Sequence, residues 1–147
     1  MAQFARPSAD TTVDNWLEND DTTDALYTRI DEVSFDDADY IKTQLTPTSD
    51  VYVCKLSSVT DPVSSVNHTV RYRYGKDVAG GDQIDLTVQL RQGYINEGSP
   101  GTLIATIGTH TNIADGFTAG SYTLSAGEAD AITNYADLYL RFLANKP

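Results

Sequence analysis

Two histidines, one cysteine and twenty-one carboxylates offer this chain its most reactive chemistry. His68 and His110 stand apart in sequence, whereas a transition-metal site wants several His or Cys ligands. His68 is in register with Val70 and Tyr72, so it reads as an edge-of-core side chain. Cys54 lies in the apolar run Val51-Tyr52-Val53-Cys54, the setting of a small buried hydrophobe. A nucleophilic thiol needs a base and an electropositive pocket. Carboxylates are densest at Asp20-Asp21 and at Asp36-Asp37-Ala38-Asp39. Ca²⁺ binds several such oxygens, but the EF-hand spacing is absent and the clusters read as solvated acidic loops. No serine sits in a Gly-x-Ser-x-Gly elbow. No glycine-rich stretch completes a Gly-x-x-x-x-Gly-Lys phosphate loop. No local motif singles out a carboxylate pair for glycoside hydrolysis. The expectation is a protein that is not an enzyme, with no cofactor and no metal.

Charge narrows the partners. Ten Lys and Arg face twenty-one Asp and Glu, for a net charge of −11. Such a chain repels nucleic acid, which is held by clustered cations. It suits solubility or a basic partner patch. Met1 to Pro7 shows neither the apolar run nor the cleavage site of a secretory leader. No apolar run reaches the roughly 18 residues of a membrane helix. Synthesis in a cytoplasm and no membrane are therefore expected. Tyr is abundant, with nine copies. Tyr72, Tyr74 and Tyr139 read as packing residues, with sugar stacking as the alternative. Arg71, Arg73, Arg91 and Arg141 fall on the polar sides of their segments. They read as solvated ion-pair partners. Arg71, Arg73 and Arg141, with Tyr139, are also candidates for a subunit contact.

The elements that would position these residues are mostly strands. Residues 1–12 are polar and aperiodic, and predict an extended N-terminal arm. The remainder, 13–147, predicts one β domain, a size that buries a core without staples. Strand-like runs cover 13–17, 25–30, 39–41, 51–56, 68–74, 84–90, 103–109, 121–124 and 138–142. The run 84–90 has the cleanest period of two. Pro47 and Pro62 break pairing. Gly80-Gly81-Asp82 and Gly98-Ser99-Pro100-Gly101 predict turns. Ser125 and Glu128 form a capping box that predicts a short helix over 126–133. The spacing of strands predicts a jelly-roll-like antiparallel β-sandwich with one helix before the last strand.

Several blocks carry a resemblance. They are Ala5-Arg6-Pro7-Ser8-Ala9-Asp10 with Trp16-Leu17, then Leu26-Tyr27-Thr28-Arg29-Ile30-Asp31-Glu32 and Asp37-Ala38-Asp39-Tyr40-Ile41. Val70-Arg71-Tyr72-Arg73-Tyr74, Ala79-Gly80-Gly81-Asp82 and the run Leu86 to Gly93 follow. Tyr122 to Ser125, Ala129 to Ile132 and Asp137 to Phe142 close the series. Together they resemble small β-sandwich structural proteins of tailed bacteriophages. The resemblance implies a virion part, foremost a capsid decoration (cement) protein on the outer capsid surface, assembled in the host cytoplasm. It implies the major capsid protein as partner and a homo-oligomer, a trimer by preference. A glycan- or receptor-binding module of a tail or fibre is the alternative. Under the first reading Phe4, Arg6 and Pro7 anchor the arm to the capsid, while Trp16 and Leu17 tie its base to the sandwich.

Overall fold

The computed structural model describes residues 1–77 and 82–147. Among these described residues, nine strands and one short helix follow in chain order. They are β1 (Pro7–Val13), β2 (Trp16–Glu18), β3 (Ile41–Thr43), β4 (Thr48–Leu56), β5 (Thr69–Lys76), β6 (Asp85–Gln92), β7 (Thr102–His110), β8 (Gly116–Thr123), α1 (Ala126–Asp130) and β9 (Leu138–Asn145). Every pairing between named strands is antiparallel. One layer is a five-stranded sheet in the order β1-β4-β9-β6-β7. The opposing layer consists of two ribbons, β2-β3 and β5-β8. The pairs β6/β7, β5/β8 and β4/β9 nest inside one another, and β6 also joins β9. This folded long hairpin is the winding of a jelly-roll-like sandwich.

Alternation decides what the large sheet buries. Tyr52, Cys54, Leu86, Val88, Leu90, Leu138 and Leu140 face the ribbons and form the main core with Trp16 and Leu26. Val70, Tyr72 and Tyr74 of β5 pack against that core from the other layer. The same strands point Val51, Val53 and Tyr139 the opposite way, where Tyr94 covers them. β4 is apolar on both faces because both faces are covered, as its sequence anticipates. Two glycines are geometric necessities. Gly101 ends the β6–β7 connection with φ of 64°. Gly120 lies beneath the Tyr72 ring, where any Cβ would collide with it.

Three expected elements come out differently. The run 25–30 is not a strand; Leu26–Arg29 is a 3-10 turn. The Asp10 carboxylate accepts the amides of Leu26 and Tyr27, each at 2.8 Å, and thereby supplies the turn's missing partners. The expected arm over 1–12 is largely in the sandwich, because Pro7–Val13 pairs with β4 as an edge strand. Only residues 1–6 precede it. Asn15, with φ of 58°, breaks the chain between β1 and β2 and splits the expected strand over 13–17. The capping box at Ser125 and Glu128 forms as expected, over a shorter helix. Of the expected turn at 80–82, Gly80 and Gly81 lie outside the described residues.

Candidate interaction cleft

The ribbon layer is not continuous. Among the described residues β3 pairs only with β2, and β5 only with β8. Between them opens a cleft of about 2180 Å³. Its floor is the inner face of the large sheet, including Leu86, Leu90, Leu140 and Phe142. One wall is the run 39–46, which contains β3; the other is 67–77, which contains β5. All residues of both runs border the cleft. Among the described residues the edge of β3 away from β2 and the edge of β5 away from β8 carry no paired strand.

Hydrogen-bond phase fixes which groups those edges present. The Leu124 amide donates to the His68 carbonyl, so His68 and the even-numbered positions of β5 bond toward β8. The amides and carbonyls of Thr69, Arg71, Arg73 and Gly75 then point away from β8. Likewise the Asn19 amide donates to the Tyr40 carbonyl, which leaves Ile41 and Thr43 pointing away from β2.

The cleft is tied at both ends. At one end Arg73 makes a bidentate ion pair with Asp37, at 2.8 and 2.7 Å. The Arg73 guanidinium lies 4.1 Å from the Phe35 ring centre, and Tyr40 meets Phe117 at 5.6 Å. This clasp carries the loop before β3 onto the β5–β8 ribbon. At the other end residues 1–6 run beside 57–60: Gln3 exchanges hydrogen bonds with Thr60, and the Ser57 amide donates to the Arg6 carbonyl. His68 joins the Tyr135 hydroxyl at 2.8 Å nearby.

Polar groups around the cleft are incompletely satisfied. Among the described residues four buried side-chain atoms lack a hydrogen-bond partner; three belong to cleft residues, namely Trp16 Nε1, Glu32 Oε1 and His68 Nδ1. Trp16 is only 8% exposed. Burial holds the Glu32 carboxyl above its usual range. Six of the ten Lys and Arg border the cleft, against six of the twenty-one Asp and Glu. The cleft is thus nearly neutral on an acidic molecule.

The residues singled out from sequence fall into three places. Phe4, Arg6, Pro7 and Trp16 border the cleft. Phe4 is exposed and carries the Arg6 guanidinium 5.3 Å from its ring centre. Leu17 is half-buried on β2 opposite Lys42. Arg71 is exposed on β5 beside the clasped Arg73, and both border the cleft. Arg141 and Tyr139 lie on the far face of the large sheet. Arg141 grips Glu97 at 2.6 and 2.9 Å, and Tyr139, buried under Tyr94, donates to Asp137. Tyr139 is engaged within the chain and 7% exposed.

The acidic clusters are similarly occupied. Asp20 accepts from Thr22 and meets Arg29, Asp36 accepts the Ala38 amide, and Asp37 holds Arg73. Among the described residues no three His, Cys, Asp or Glu converge as metal ligands. The Cys54 thiol is fully buried and pushed up to about 12, which leaves it protonated and inert at neutral pH.

Compared with family models, curated proteins and solved structures, this chain matches none. The cleft is therefore interpreted from its own geometry. Sequence reasoning missed it because a gap between ribbons needs strand order, which alternation does not encode. The signals were Val70, Tyr72 and Tyr74 on one strand face, together with Trp16 and Ile41.

Proposed function

We propose that this chain is a structural binding protein of a tailed-phage virion, foremost a capsid decoration protein that clasps the outer shell. The observation that carries the reading is the open cleft of about 2180 Å³, larger than the roughly 300–1,000 Å³ of small-molecule sites and bordered by strand edges rather than converging reactive groups. Such a surface fits polypeptide better than substrate. The block resemblance supplies the phage setting, the major capsid protein as partner and the homotrimer. A protein that binds only the assembled shell stabilises it by mass action. Many copies add avidity without strong single contacts.

Residues 1–5 precede β1 and can be removed without dismantling it, at the loss of the Gln3–Thr60 hydrogen bonds. A deletion of 1–12, in contrast, removes Asp10 and with it the support of Leu26, Tyr27 and Tyr52. The test is co-sedimentation of the full chain and of a variant lacking 1–5 with expanded capsids stripped of accessory proteins. Saturable binding at a fixed copy number per shell, lost on truncation, is expected. No binding by the full chain, or a handful of copies confined to the tail, overturns the decoration reading.

A further inference from the structure

We propose that the cleft is an acceptor groove for one extended segment of another polypeptide, which enters as a strand between β3 and β5. This goes beyond the virion reading and does not rest on it.

Two observations converge. The first is the backbone. Thr69, Arg71, Arg73 and Gly75 offer amides and carbonyls from one wall, while Ile41 and Thr43 offer theirs from the other. Unpaired strand edges template another strand. One entering segment would pair on both its edges, as in strand addition to an incomplete sheet. The second is the apolar lining: Ile41, Val70, Tyr72, Tyr74, Ile84 and Phe142 border the cleft only half-buried, and an alternating segment would cover them with every second side chain.

The chemistry of the occupant follows. It is extended and apolar at alternate positions. β5 spans eight residues, or about 26 Å of strand, so a segment of about that length fills the groove. Among the described residues Arg71 is exposed and has no acidic partner. Directly opposed side chains on neighbouring strands interact, and opposite charges favour the pair. The occupant therefore carries a carboxylate opposite Arg71.

Trp16 is the single tryptophan and borders the groove, so its fluorescence reports occupancy. The probes are octapeptides of alternating valine and threonine with one glutamate replacing an interior threonine. Three comparisons accompany them: the same peptides with lysine for glutamate, the same peptides N-methylated at alternate amides, and a C12 fatty acid. Saturable change in Trp16 emission with the glutamate peptides, absent after N-methylation, is expected. The glutamate form should bind about threefold tighter than the lysine form, and Arg71→Glu should invert that order. No saturable binding at millimolar peptide overturns the proposal. So does equal binding after N-methylation, which would mean apolar adsorption, and so does a response to the fatty acid alone. Concentration-dependent dimerisation that blocks the peptide site would assign the groove to a second copy and defeat the partner claim.

Discussion

At the scale of single residues, one carboxylate organises the join between the layers. Asp10 accepts the amides of Leu26 and Tyr27 and the Tyr52 hydroxyl, the last at 2.7 Å. Removing an acceptor that serves several partly buried donors leaves them unsatisfied. Asp10→Ala should cost about 3 kcal/mol in urea unfolding, with Asp10→Asn milder. A loss under about 1 kcal/mol would show that water replaces the carboxylate. His110 gives the residue-scale pH effect. Its Nε2 lies 2.7 Å from the Tyr72 hydroxyl, Tyr74 stacks on it at 4.1 Å, and burial lowers its proton affinity. A histidine depressed in the folded state binds more protons when unfolded. Its stabilising effect is complete above the unfolded value of about 6.5 and declines as pH falls through it. The melting temperature should drop between pH 7.5 and 5.5, and His110→Phe should flatten that slope. An equal slope in both proteins refutes the assignment.

At the scale of elements, legibility tracked how local the cause was. The 84–90 strand, the both-faces-apolar β4 and the Ser125 capping box are written in adjacent residues, and all formed. The 3-10 turn was unreadable because its amides are held by Asp10, sixteen and seventeen residues away. The pairing of β1 with β4 was hidden for the same reason: a polar edge strand has only one covered edge and a weak alternation. Of the chosen site residues, Phe4, Arg6, Pro7, Trp16, Arg71 and Arg73 reached the cleft, while Arg141 and Tyr139 went to the opposite face. Their alternation was right, but which face would be covered depended on the 93–101 loop. The ribbon itself offers a test. Gly120→Ala places a methyl against the Tyr72 ring and should cost about 1–3 kcal/mol by overpacking. Tyr72→Ala in that background should recover part of the loss, and additive losses would refute the contact.

At the scale of the whole molecule, a five-stranded sheet is roofed by two ribbons that do not meet. The Arg73–Asp37 clasp and the 1–6 segment hold the opening at its ends. A two-stranded ribbon is weak unless it packs on another layer. Arg73→Ala should therefore leave global unfolding almost unchanged but raise local opening of β5 and of the loop before β3, read by protease sensitivity of that loop. Equal protection of the loop in both proteins would show that the clasp is ornamental. The most direct measurement is residue-resolved amide exchange of the free protein. Thr69, Arg71, Arg73 and Gly75 should exchange at least about a hundredfold faster than Val70, Tyr72 and Tyr74, which bond to β8. Uniform protection along β5 would contradict it, because the edge would then already be paired.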